Sequence, residues 1–146
     1  MIILKEITAL DTYSVRHPVL RDGKPMESCH FEGDDLQSTI HIGLYNNAAL
    51  IGVISLFKTK NPEFKSDNQF QIRGMAVLTH HQNRGYGHQL LTEAEVIAQK
   101  YNCKLLWFNA RENAVGFYEK MNYKIIGEPF NIGDIGTHFV MYKKLN

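Results

Sequence analysis

Gln82-Asn83-Arg84-Gly85-Tyr86-Gly87 is the segment that most strongly indicates the fold of this sequence and a site for a bound ligand. It lies between an apolar stretch, Phe70 to Leu78, and an amphipathic one, Leu90 to Tyr101, which predicts a turn from a strand into a helix. The two glycines let the backbone approach a bound anion closely, and a helix that begins there points unpaired N–H groups at the anion. Arg84 adds a positive charge beside those donors. The stretch therefore predicts a binding site for a pyrophosphate group.

Three phosphate-binding patterns compete for this turn. A P-loop needs a longer spacing between its glycines, followed by Lys and then Ser or Thr, and the sequence has neither. A dinucleotide-binding fingerprint needs a third glycine, but Leu90 occupies that position. Gln82, Gly85 and Gly87 instead resemble Gln/Arg-x-x-Gly-x-Gly/Ala, the coenzyme A loop of the GNAT superfamily of N-acetyltransferases. On this stretch alone, a glycine-rich turn that binds nothing stays open.

A second segment, Leu105 to Tyr123, resembles the same family. An apolar strand is followed by Asn-Ala, then by Phe-Tyr-Glu-Lys, and then by an aromatic residue at Tyr123. The helical spacing places on one face Ala114, Phe117, Tyr118 and Met121. Asn122 stands where the family usually has Gly, and Asn is the next-best residue for the left-handed conformation that ends a helix. With two motifs in the family's order, the chain is similar to a GNAT acetyltransferase over roughly its C-terminal half.

The order of predicted elements agrees with the fold that the resemblance implies. Antiparallel hairpins come first, then strand, helix, strand, helix and strand, which favours an α/β mixed, twisted sheet with helices on both faces. A helix from Ala9 to Leu20 is expected to end near His17-Pro18, because proline disfavours helix in the residue before it. In the family, two parallel strands splay apart to admit the pantetheine arm, and here they would be Phe70–Leu78 and Lys104–Phe108. With 146 residues and no linker or repeat, residues 1–146 are expected to form a single domain.

Composition and charge argue against several classes of partner. The net charge of +1 gives no long-range field to attract nucleic acid or an anionic membrane. The longest apolar run, Ala48 to Phe57, is about half the length needed to span a bilayer. Met1 to Glu6 lack the basic start and the cleavage site of a signal peptide, so a cytoplasmic protein is expected. The histidines offer no i, i+4 helical pair and no Cys-x-x-Cys partner, so no metal is expected.

The resemblance implies that acetyl-CoA is the co-substrate and that its acetyl group moves to a primary amine by direct attack in a ternary complex. Backbone groups of Met75 and Val77 would pair with the pantetheine arm and the thioester, and the amides from 83 to 88 would hold the pyrophosphate. Asn113 would hydrogen-bond the cofactor and Phe117 would pack against it. The cofactor-binding residues so implied are Met75, Val77, Gln82, Asn83, Arg84, Gly85, Tyr86, Gly87, His88, Asn113 and Phe117.

Acyl transfer also needs a proton donor for the departing thiolate, and Tyr118 matches the tyrosine that commonly serves as general acid in the family. A phenol with a pKa near ~10 stays protonated at neutral pH and can share its proton with a thiolate. The alternative is a core-facing tyrosine whose hydroxyl is bonded to a backbone carbonyl.

The general base is less evident from the sequence. Many relatives carry a Glu in the strand before the coenzyme A loop, but Gln71-Ile72-Arg73-Gly74-Met75 contains no carboxylate. His138, which enters the last strand, is the first candidate to take the proton of the amine through a water. A merely hydrogen-bonded or surface histidine is the alternative for His138. Other candidates for the base are His30, Glu32, Asp34 and Asp35.

The acceptor, a small-molecule or peptide amine, is not specified by any motif. Two segments are expected to shape its site, Arg21 to Ser38 and Gly127 to Thr137, and their mixed charge leaves several amines open. These are an amino acid, a polyamine, a peptide N-terminus, an aminoglycoside and a protein lysine. The chain could also form a homodimer. A second class of function fits the same residues, namely a GNAT-like module that binds acyl-CoA as a sensor or scaffold without turnover.

Overall fold

The computed structural model describes residues 1–146, which form one seven-stranded sheet with three α-helices. The strands are β1 (Ile2–Ile7), β2 (Ile40–Asn46), β3 (Ala49–Phe57), β4 (Gln69–Val77), β5 (Leu105–Arg111), β6 (Lys124–Ile132) and β7 (Gly136–Lys144). The helices are α1 (Tyr13–Leu20), α2 (Tyr86–Lys100) and α3 (Val115–Glu119). Short 3-10 turns occupy Leu10–Thr12, Met26–Cys29, Thr79–His81 and Glu112–Ala114. None of the helices combines the length and the apolar character needed to cross a membrane.

The sheet is mixed, as the sequence predicts. Its strand order is β1-β2-β3-β4-β5-β7-β6, and every neighbouring pair is antiparallel except β4 and β5. The parallel pair requires a crossover, which α2 supplies as it runs back over the sheet. The coenzyme A loop predicted from the sequence lies at the start of that crossover.

Helices cover both faces of the sheet, which confirms the predicted architecture. Val53 and Ile54 are successive residues of β3 and point to opposite faces. Val53 packs with Val15 of α1, whereas Ile54 belongs to the larger apolar cluster that includes Leu90 of α2. All four side chains are fully buried, so each helix is held by apolar surface removed from water.

The predicted end of the first helix is wrong. The helix α1 continues through Pro18 to Leu20, and the backbone N–H of Arg21 still donates to the carbonyl of His17. Proline costs the helix the hydrogen bond of one N–H. Val19 and Leu20, beyond the proline, pack against the cluster around Val53, and this tertiary contact outweighs the local preference.

The strands β4 and β5 separate, as the family resemblance implies. They pair at three positions only, Gln69 with Leu105, Phe70 with Leu106 and Gln71 with Trp107. Beyond Gln71 and Trp107 both strands continue without pairing to each other, β4 to Val77 and β5 to Arg111. The widening gap between them contains the site described next.

Candidate active site

A cavity of about 780 Å³ lies where β4, the turn after it and the start of α3 meet. It is lined by ten of the eleven residues predicted to bind acetyl-CoA: Met75, Val77, Gln82, Asn83, Gly85, Tyr86, Gly87, His88, Asn113 and Phe117. Arg84, the eleventh, belongs to the same turn but is exposed and does not line the cavity. We call this space the cofactor cavity.

The turn from 82 to 88 has the geometry of an anion site. Asn83 and Gly85 both adopt positive φ, 63° and 82°, which turns the chain sharply into α2. None of the backbone N–H groups from 83 to 88 donates a hydrogen bond within the protein, because the first amide satisfied in α2 is that of Gln89. The Gln82 side chain donates to the carbonyl of Val77 at 2.9 Å and ties the turn to β4. These unpaired donors at a helix start fit a pyrophosphate.

Asn113 and Phe117 also line the cofactor cavity, and the Phe117 ring lies close to Gly87 of the turn. The side chain of Asn113 makes no hydrogen bond to the start of the following helix, so Asn113 does not serve to cap that helix. Phe117 keeps 38% of its surface exposed, although it is a large aromatic residue on a short helix. Both side chains are therefore free to contact a ligand.

A second cavity, of about 450 Å³, adjoins the first and shares with it Met75, Ala114 and Tyr118. We call it the acceptor cavity. It lies between the separated parts of β4 and β5 and is closed by Phe31 from the long loop and by Ile132 from β6. Each of the two segments predicted to shape the acceptor site therefore contributes to the lining of this cavity.

Tyr118 lines both cavities. Its ring is held between Phe108, with ring centroids 4.4 Å apart, and Phe117, at 5.1 Å. Its hydroxyl makes no hydrogen bond within the protein, unlike that of the neighbouring Tyr123, which donates to Glu95 at 2.8 Å. Burial raises the pKa of Tyr118 to about 12. The hydroxyl is therefore protonated across the physiological range and free to donate a hydrogen bond to a ligand.

A bulge in β4 shapes the wall between the cavities. Val53 faces Ala76 and Ser55 faces Arg73, so Ile54 of β3 stands opposite two residues, Gly74 and Met75. Gly74 adopts φ of +68°, and a Cβ there would lie 2.8 Å from the Phe31 ring. Only glycine fits this position, because the bulge presses the backbone against the loop that closes the acceptor cavity.

His138 lines the acceptor cavity and is 4% exposed. Its Nδ1 lies 2.8 Å from the carbonyl oxygen of Gly136. A carbonyl only accepts, so Nδ1 carries the hydrogen and, in the neutral ring, Nε2 holds a free lone pair. His138 faces Arg111 across the β5–β7 ladder, which brings both residues to the same cavity.

The other candidates for the base are placed elsewhere. His30 and Asp35 pair with each other at 3.0 Å on the surface, and Glu32 is exposed outside the acceptor cavity. Asp34 is buried and forms two hydrogen bonds with Arg16, at 2.6 and 3.1 Å. Burial alone would raise the pKa of Asp34, but hydrogen bonds from Arg16 and from the backbone N–H of Phe31 hold it below its ordinary value. Asp34 is therefore a structural carboxylate.

Three arginines of the acceptor cavity are not predicted by any motif in the sequence. Arg21, Arg73 and Arg111 line it, and they come from the end of α1, from β4 and from β5. No spacing rule connects three positions so far apart in the chain. The structure contains no cluster of three or more His, Cys, Asp or Glu side chains that could hold a metal ion.

Comparison with known proteins identifies the family to which the chain is similar. The model of the acetyltransferase (GNAT) family matches residues 7–123 of the chain. An uncharacterized N-acetyltransferase of Bacillus subtilis (strain 168), YitI, is 34% identical over 145 residues, which cover 99% of this chain and 97% of that protein.

Solved structures share the fold. An aminoglycoside 6'-N-acetyltransferase in complex with coenzyme A superposes with a TM-score of 0.78 and 13% identity, covering 97% of this chain and 96% of that one. The IAA acetyltransferase from Bacillus cereus ATCC 14579 superposes with a TM-score of 0.75 and 17% identity, covering 99% of this chain and 100% of that one. A GNAT family acetyltransferase from Elizabethkingia anophelis with acetyl-CoA bound superposes with a TM-score of 0.70 and 19% identity, covering 99% of this chain and 98% of that one. With a family model matching most of its length, the chain belongs to the acetyltransferase (GNAT) family.

Proposed function

We propose that this protein transfers an acetyl group from acetyl-CoA to a primary amine by direct attack while both substrates are bound. The observation that carries the proposal is the position of Tyr118. This residue, whose hydroxyl is unpaired, lines both the cofactor cavity and the acceptor cavity. A proton donor at that boundary is what the departing thiolate of coenzyme A needs.

Two further features support direct transfer over a covalent acyl-enzyme. Cys29 and Cys103 are buried, and neither lines a cavity described above. Burial raises the pKa of both thiols, which keeps them protonated and poorly nucleophilic. The amine would therefore attack the thioester itself.

The proposed acetyl-CoA site follows the cofactor cavity. The backbone amides from 83 to 88 would hold the pyrophosphate, and Asn113 and Phe117 would contact the pantetheine side. Donors fixed in the backbone are suited to this because they need no reorganisation when the anion binds. Arg84, exposed beside them, would add long-range attraction for the phosphates.

Proton removal from the amine is assigned to His138. An alkylammonium has a pKa near ~10.4 and must lose a proton before it can attack. With Nδ1 bonded to the carbonyl of Gly136, Nε2 is the ring atom available to accept that proton, directly or through a water. In this scheme His138 takes the place of the carboxylate that β4 lacks.

The test is release of free thiol from acetyl-CoA across a panel of primary amines, with both substrate concentrations varied. Intersecting double-reciprocal lines support the ternary complex, and parallel lines would indicate an acyl-enzyme instead. Binding of acetyl-CoA without turnover on any amine would favour the alternative, a sensor or scaffold module. The absence of a carboxylate in β4 is the feature that favours this alternative.

A further inference from the structure

The wall of the acceptor cavity carries several positive charges and no negative one. Arg21, Arg73 and Arg111 line it together with His138, and none of the sixteen lining residues is Asp or Glu. The chain as a whole is nearly neutral, at +1, so this concentration is local. A cavity with one sign of charge selects ligands of the opposite sign.

Arg73 is the most informative of these residues. It is partly buried, and its guanidinium lies 5.0 Å from the ring centroids of both Phe31 and Phe57. The guanidinium forms no salt bridge and no hydrogen bond within the protein. Burial and the nearby charge of Arg16 lower its pKa, which reflects the cost of holding this cation without an anionic partner. The aromatic contacts leave the N–H donors of this guanidinium without an acceptor, so they are available to a ligand in the cavity.

The neighbouring carboxylates do not supply that partner. Asp34 is engaged by Arg16, and Glu32 is exposed outside the cavity. Arg21 donates to the carbonyls of Leu20 and Ser28, and neither contact is to a carboxylate. The cationic wall therefore has no acidic partner within the protein.

Resting on the proposed function, we infer that the acceptor amine also carries an acidic group, a carboxylate or a phosphate, and that Arg73 binds this group while the amine faces Met75 and Tyr118. A planar guanidinium suits either anion because it can donate two parallel hydrogen bonds. The same wall repels an acceptor with several positive charges. Polyamines and aminoglycosides are therefore disfavoured, although an aminoglycoside acetyltransferase shares the fold.

The experiment compares acceptors that differ only in the acidic group. Amino acids with α-, β- and γ-amines are each paired with their amide, and O-phosphoethanolamine is paired with ethanolamine. An adjacent carboxylate favours the protonated amine, so intrinsic reactivity at neutral pH would favour the amide. We expect the acidic member of at least one pair to have a kcat/KM higher by about tenfold or more, a typical contribution of a hydrogen bond to a charged group.

Variants of Arg73 assign the preference to this residue. In Arg73→Met, the KM for the acidic acceptor should rise about tenfold, while the KM values for its amide and for acetyl-CoA change little. Arg73→Lys keeps the charge and should retain part of the preference. Lys100→Met, which removes an exposed charge at the end of α2, is the matched control and should leave the preference unchanged.

The outcomes separate the two proposals. A preference within the carboxylate pairs or within the phosphate pair supports the inference and identifies the anion. A neutral or polycationic acceptor that outperforms every acidic one would overturn it, as would an unchanged preference in Arg73→Met. If no amine is acetylated, the proposed function fails, and calorimetry on the protein saturated with coenzyme A then decides the anion site. Tighter binding of the acid than of its amide, lost in Arg73→Met, would support the site, and equal binding would refute it.

Discussion

The cofactor cavity and the acceptor cavity meet at Tyr118 but are built in different ways. The first offers the unpaired backbone amides of one continuous turn, 82–88, together with residues of β4 and of the start of α3. The second is formed by side chains from α1, the long loop, β4, β5, β6 and β7. A site made of backbone depends on local conformation, whereas a site made of side chains depends on how distant segments pack. Substitutions should therefore affect the two cavities separately.

The largest loss of stability is expected from Asp34→Asn, which removes the ion pair that fixes the loop closing the acceptor cavity. Asp34 and Arg16 fix the loop that carries Phe31, and removing one partner of a buried ion pair costs about 3–5 kcal/mol of unfolding free energy. Chemical denaturation measures this loss. Asp35→Asn is the matched control, since Asp35 pairs with His30 at the surface and should contribute at most about 1 kcal/mol. Equal losses in both variants would contradict the structural role of Asp34.

The same pair predicts a dependence on pH. Because the pKa of Asp34 is lowered in the folded state, its stabilisation is fully present above the ordinary carboxyl pKa of about 3.9. It is lost as the pH falls below that value towards the lower pKa of the folded state. The difference in unfolding free energy between the wild-type protein and Asp34→Asn should therefore shrink as the pH falls through this window. Chemical denaturation at a series of acidic pH values measures the difference, and a constant difference would contradict the lowered pKa.

Tyr118→Phe tests the boundary that the two cavities share. The change keeps the ring between Phe108 and Phe117 and deletes only the hydroxyl, so turnover should fall by at least about tenfold with acetyl-CoA affinity retained. Because the pKa of Tyr118 is about 12, the loss should be similar from about pH 6 to about pH 10. Steady-state kinetics on an acceptor for which chemistry is rate-limiting measure it.

Tyr123→Phe is the matched control for Tyr118. It removes a hydroxyl that donates to Glu95 outside both cavities, so it should lower stability but leave turnover per folded molecule unchanged. Full activity in Tyr118→Phe would make Tyr118 a packing residue only.

Gly85→Val tests the cofactor cavity alone. Gly85 adopts φ of +82°, and the space that a Cβ would occupy there is open. A side chain at this position therefore strains the turn and projects where the phosphates are proposed to bind. Calorimetry should show acetyl-CoA affinity reduced by about tenfold, with the acceptor KM little changed. Gly127→Val carries the same strain at φ of +76° away from both cavities and should leave affinity unchanged. Wild-type affinity in a folded Gly85→Val protein would remove the turn from the site.

The smallest effect is expected from His138→Ala, on the acceptor side. A solvent water can partly replace the base, so the fall in turnover should be about tenfold or less and greatest at neutral pH. Acetyl-CoA affinity should be unchanged, since His138 does not line the cofactor cavity. The pH–rate profile is the measurement. An unaltered profile would reduce His138 to a hydrogen-bonded residue of the last strand.

Local conformation explains which elements the sequence could predict. The residues of the turn 82–88 are neighbours in the chain, and glycine permits the positive φ that the turn requires, so their spacing alone predicts a turn whose residues, apart from Arg84, line one cavity. The end of α1 could not be predicted in the same way. The local effect of Pro18 favours an earlier end, and only the packing of Val19 and Leu20 on the sheet reverses it.

The sequence by itself determined the mixed sheet, through the order of its strands and helices, and the turn with its unpaired amides, through the spacing of glycines within one short segment. It also supplied the tyrosine of the second motif, through the resemblance to the family. Only the tertiary structure decided what faces the acceptor. It bonds Asp34 to Arg16, leaves the Nε2 lone pair of His138 free, and brings Arg21, Arg73 and Arg111 to one wall. Charge in a cavity is a sum over residues that share a space, and the order of residues along a chain does not specify that space.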